Sequence, residues 1–120
     1  MPTRYLVHDV SAALPFYTDL LGFSIEAQWG PAFAIVRRGE AVLWLSGPDT
    51  SAAQPMPDGR RPEPGGWNRI VLEIEDLNGL IANLREAGVA FRNEPISGPG
   101  GMQVLVEDPS GNPIELFKPR

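Results

Sequence analysis

Cysteine is absent from the 120 residues and histidine occurs once, at His8. The missing thiols exclude disulfides, thiolate catalysis and sulfur-ligated zinc, while leaving the redox compartment open. Basic runs are scarce: none is longer than the pair Arg60-Arg61, against a net charge of −5, so nothing resembles a footprint for nucleic acid or an anionic membrane. No stretch reaches the roughly 18 apolar residues of a membrane span, and no positive leader precedes an apolar run. The chain therefore reads as soluble and cytoplasmic. No serine or threonine has a recognisable partner base, which leaves nucleophilic catalysis without a constellation. Gly98-Pro99-Gly100-Gly101 lacks the spacing of a phosphate-binding loop before a helix and reads as a hairpin or loop connection.

What the chain does contain is a repeat. Asp9-Val10, a helical run and Leu21-Gly22-Phe23 match Asp76-Leu77, a helical run and Ala87-Gly88-Val89, offset by 67 residues at the aspartates and 66 at the glycines. Gly39 to Leu45 matches Gly111 to Phe117 when the two glycines are superposed, which sets Leu43 opposite Glu115. Duplicated units of this kind build equivalent half-sheets, and functional groups belong in the concavity that they enclose.

Periodicity supplies the elements. Tyr5-Leu6-Val7 is strand-like, and Asp9 or Ser11 can cap a helix over 12–21, with Pro15 tolerated at the edge of the first turn if Ser11 is the cap. Strands follow at 24–29, 32–37 and 41–46. The second copy has a strand at 68–74, a helix at 77–87 with Leu77, Leu80, Ile81 and Leu84 in helical spacing, and strands near 90–93, 102–107 and 113–117. The fold class is α+β: two β-α-β-β-β modules in a single domain over 1–120, module 1 at about 1–47, module 2 at about 67–120. Between them, 48–66 is rich in proline and glycine, long enough for a lid or a crossover. A core of this size gains from a partner, so a homodimer is expected.

Val7-His8-Asp9, Phe16-Tyr17 and Leu21-Gly22-Phe23, followed by Glu107-Asp108-Pro109-Ser110-Gly111-Asn112-Pro113-Ile114-Glu115-Leu116-Phe117, resemble the vicinal oxygen chelate superfamily. That superfamily includes glyoxalase I, extradiol dioxygenases, fosfomycin-resistance enzymes and bleomycin-binding proteins. The resemblance covers nearly the whole chain. It implies paired modules forming a curved, cup-like mixed sheet with helices outside, often completed by module sharing in a dimer. Family enzymes usually take a divalent metal from the opening and closing strands of each module. Those positions here are Pro2 or its neighbour, Leu43, Arg69 and Glu115, of which only Glu115 can ligate. No metal and no cofactor are therefore expected.

Arg69 and Glu115 can pair in a bidentate manner, either as a polar anchor for a ligand or as a structural ion pair; the residues leave both readings open. An arginine-paired carboxylate is a poor proton donor, which weakens the case for catalysis. Strand alternation puts Trp67, Arg69, Val71 and Glu73 on one face, with Ile70, Leu72 and Ile74 toward the helix. The same reasoning sends Leu43 and Leu45 into the cup and Trp44 into the core. The expected pocket is apolar and aromatic, built from Trp67, Arg69, Glu115, Leu43 and Leu45, with Trp29 and Phe33, whose facing the pattern does not settle. His8 beside Asp9 reads as a strand-end histidine next to a helix cap. The expected function is metal-independent binding of a bulky, partly aromatic small molecule, as in antibiotic sequestration. A glyoxalase-like lyase or isomerase, or a dioxygenase, with an unusual metal set is the alternative, and an inert structural module is a third reading.

Overall fold

A computed structural model describes residues 1–120. Its contacts divide into two compact units, Met1–Gly65 with Pro109–Asn112, and Gly66–Asp108 with Pro113–Arg120. In the first, β1 (Pro2–Leu6) runs parallel to β4 (Ala41–Ser46), which pairs antiparallel with β3 (Phe33–Arg38), and β3 with β2 (Ser24–Trp29). The second repeats this order: β5 (Ile70–Glu73) beside β8 (Pro113–Pro119), then β7 (Gly101–Glu107) and β6 (Ile96–Gly98). Two open four-stranded mixed sheets result. Each carries one helix after its opening strand, the α+β arrangement expected from the repeat.

The repeated aspartates are the helix caps. Asp9 Oδ1 accepts from the Ser11 and Ala12 amides at 2.9 and 3.3 Å, and Asp76 Oδ1 accepts from the Gly79 amide at 3.0 Å. These bonds satisfy donors that the first turn leaves free. The repeated glycines close the same helices, with Gly22 at φ 76° and Gly88 at φ 79°, where a side chain would be strained.

The first helix differs from its expected form. Capped by Asp9 rather than Ser11, α1 (Val10–Pro15) holds Pro15 inside it and then widens into a π turn over Phe16–Leu20. Proline offers no amide and crowds the carbonyl four residues back, so the regular ladder cannot pass it. The wide turn seats Tyr17 fully buried, edge-on to Phe16 and Phe23 at 5.0 and 5.6 Å between centroids. The other helix, α2 (Leu77–Glu86), buries Leu77, Ile81 and Leu84 and packs on β8. In that unit the expected strand at 90–93 is a single bridge, Phe91 to Val106, and the fourth strand forms later, at Ile96–Gly98, through the Gly98–Gly101 hairpin.

Sheet phase decides which side chains can meet a ligand. In β5 the alternation is as expected, with Leu72 buried and Val71 exposed; Trp67, three residues before the strand, is exposed as well. In β4 it is reversed. Leu43 and Leu45 are fully buried and pair in register with Val36, Ala34 and Tyr5, themselves buried. Val10, Ala13 and Leu14 of α1 are buried in the same unit. Trp44 lies on the opposite face, opposite Arg4 and Ile35.

The reversal has two causes. Ala41-Val42-Leu43-Trp44-Leu45 is apolar at every position, so alternation carries no contrast. The hairpins also differ: Gly39 and Glu40 alone separate the paired Arg38 and Ala41, whereas residues 108–112 separate Glu107 from Pro113. Superposing Gly39 on Gly111 therefore slips the alignment by one residue. In register, Val71 faces Glu115 as Arg4 faces Trp44, so Glu115 corresponds to Trp44.

Candidate functional site

The second unit gathers most of the expected polar residues on the sheet face that is turned away from α2. Arg69 Nε and Nη2 both donate to Glu115 Oε1, at 3.1 and 2.8 Å. The geometry is a convergence on one oxygen, not the expected two-oxygen fork. Oε2 has no protein partner, and since no buried side-chain oxygen lacks one, it retains access to solvent. The pair is partly sheltered, with side chains 29% and 10% exposed, which favours a stronger interaction than the near-zero worth of fully exposed pairs.

Trp67 is 69% exposed and fixed from two directions. Arg69 Nη1 donates to its carbonyl at 3.3 Å, and the Arg92 guanidinium lies over its ring, 4.6 Å from the centroid. Arg92 is itself held by Glu107 Oε2 at 2.8 Å and the Gly66 carbonyl at 2.6 Å. A cation on one indole face leaves the other for a planar partner, and anchoring the arginine keeps the ring in place at little entropic cost. Arg92 and Glu107 were not singled out in the sequence, because their pairing joins distant segments that no local pattern links.

The first unit carries an aromatic row. Trp29 and Phe33 lie 5.4 Å apart, Phe33 and Trp44 6.2 Å apart, and Arg4 sits over Trp44 at 5.0 Å while donating to Ser46 Oγ at 3.1 Å. Trp29 and Phe33, directly paired across β2 and β3, share the face of Trp44. Leu43 and Leu45, expected to line the pocket, belong to the core. Arg4 and Trp44 take the accessible positions that sequence reasoning gave to those leucines.

The donor set does not fit a divalent cation. With the register corrected, the four family positions are Pro2, Trp44, Arg69 and Glu115, and the Arg69 guanidinium paired with Oε1 of the single carboxylate repels a cation there. No group of three or more His, Asp or Glu side chains is placed to hold a metal. No helix is long and apolar enough to cross a membrane.

The sequence profile of the Glyoxalase/Bleomycin resistance protein/Dioxygenase superfamily matches residues 2–116. The chain belongs to this superfamily. It is 26% identical to Virulence protein STM3117 of Salmonella typhimurium over 117 residues, covering 92% of this chain and 76% of that protein. Among solved structures it is similar to TnmS3, an antibiotic binding protein from Streptomyces sp. CB03234, with 29% identity, a TM-score of 0.75, and 99% and 93% of the two chains covered. A superfamily member from Sphaerobacter thermophilus gives 30% identity, a TM-score of 0.76, and 98% and 94% coverage.

Proposed function

We propose that this superfamily member binds a bulky, partly aromatic small molecule without a metal, and that its role is sequestration of an antibiotic or similar natural product. The carrying observation is Trp67, exposed but held against Arg92, beside a Glu115 carboxylate with one unengaged oxygen. An aromatic plate next to a polar anchor suits a planar ligand bearing a hydrogen-bond donor. Likeness to TnmS3, which is an antibiotic binding protein, supports the same reading. The enzymatic alternative in the superfamily, a glyoxalase-like lyase or a dioxygenase, would require a metal set different from the four family positions.

The test is a panel of polyaromatic antibiotics and flavin-like compounds titrated by tryptophan fluorescence, alongside elemental analysis of protein purified without chelator. Saturable quenching with no stoichiometric metal is expected. One zinc, iron, manganese or nickel per chain would restore the enzyme, and no binding across the panel would favour an inert module.

The same proposal includes a homodimer in the cytoplasm. Ile25, Trp29, Trp67, Val71 and Ile96 are large apolar side chains left exposed on a chain of 120 residues, and a second copy would cover part of them. Obligate interfaces commonly bury more than about 2,000 Å². Light scattering should return twice the chain mass, and a monomer at micromolar concentration contradicts the dimer.

A further inference from the structure

A cavity lies within the first unit, where the parallel strands β1 and β4 end and the proline-rich segment passes over them. It encloses about 340 Å³, and its walls include Leu6, His8, Pro48, Arg61 and Glu63. That volume is near the lower bound for small-molecule sites. The frame is pinned by Asn112, itself 4% exposed: Nδ2 donates to the Leu6 carbonyl at 2.7 Å, and Oδ1 accepts from the Gly65 amide at 2.8 Å. The His8 amide donates to Ser110 Oγ at 2.8 Å. One buried amide thus ties the strand end to the segment that forms the opposite wall. Pro62 and Pro64 restrict that wall's backbone further.

The charged groups of this cavity are unspent. Arg61 and Glu63 stand two residues apart yet form no ion pair with each other, and neither side chain is engaged elsewhere in the unit. Arg60, by contrast, is tied to Asp58 at 2.8 Å. A preformed cavity with an apolar floor, one cation and one anion fits a small zwitterion.

We propose that this cavity binds an amino-acid-type zwitterion with an apolar side chain, its carboxylate on Arg61, its ammonium on Glu63 and its side chain on Leu6 and Pro48. The site is independent of Trp67 and of the function proposed above. Because Arg61 is exposed, each ion pair contributes modestly and the affinity is weak, with Kd of about 1 mM.

His8 is the only histidine, so its imidazole NMR signals report this cavity without overlap. Titration with L-leucine should shift them saturably, whereas 4-methylpentanoate and 3-methylbutylamine, each carrying one of the two charges, should bind more weakly. Arg61→Ala with Glu63→Gln should weaken leucine about fivefold, the worth of exposed pairs at the upper end, and Trp67→Ala should leave the response unchanged. No saturable shift, equal binding of either single-charge analogue, or unaltered affinity in the double variant overturns the proposal. Loss of quenching by aromatic ligands with the His8 response intact would sink the Trp67 site alone.

Discussion

Leu43→Ala is expected to destabilise the protein by about 2–5 kcal/mol, the range for truncating a fully buried leucine and leaving a cavity. Leu43 is completely buried between register partners Val36 and Thr3, in the sheet face that also holds Leu45, Ala34 and Tyr5. A leucine lining an open ligand pocket would instead lose affinity with little change in stability. Trp44→Ala supplies the contrast, since Trp44 is only half-buried and its neighbours on the accessible face are Arg4 and Phe33. Urea unfolding of both variants separates the two arrangements: the leucine variant should show the larger fall in midpoint at an unchanged slope. If Leu43→Ala unfolds like the parent, the assigned phase of β4 is wrong.

That strand shows where sequence reasoning holds and where it stops. The two modules were legible because their signals are local and occur twice: Asp9 and Asp76 cap helices, and Gly22 and Gly88 end them. The phase of β5 was legible because Ile70, Leu72 and Ile74 share one face while Arg69 and Glu73, on either side of Val71, mark the other as polar. In β4 no such contrast exists, and the facing of Trp44 depended on the length of the preceding hairpin. The site was legible in proportion. Arg69 and Glu115 could be brought together because β5 and β8 are neighbours in any repeat of this order. Arg92, Glu107 and Asn112 act through contacts between segments remote in sequence, which periodicity does not encode. Asn112 belongs to the motif that carries the family resemblance, yet nothing local to it shows that its amide holds the end of β1.

Trp67→Ala should weaken aromatic ligands about tenfold or more while leaving the protein folded. Stacking contributes roughly 0.5–1.5 kcal/mol beyond burial, and loss of the ring area adds to it, so a total above about 1.4 kcal/mol, one decade in Kd, is expected. The stability cost should be small because the indole is 69% exposed and loses only its contact with Arg92, a partner of about 0.5–1 kcal/mol at such a site. Arg92 keeps Glu107 and the Gly66 carbonyl, so no buried charge is orphaned. Glu115→Ala behaves differently, since it leaves Arg69 without its partner in a sheltered position and should lower both affinity and unfolding midpoint. Trp67→Phe retains a smaller plate and should recover part of the affinity, an outcome that distinguishes stacking from a general disturbance of the β5 entry. Fluorescence titration of the three variants, each with its unfolding curve, makes the comparison. Unchanged affinity in a folded Trp67→Ala protein would move the ligand off this face and toward the row formed by Trp29, Phe33 and Trp44.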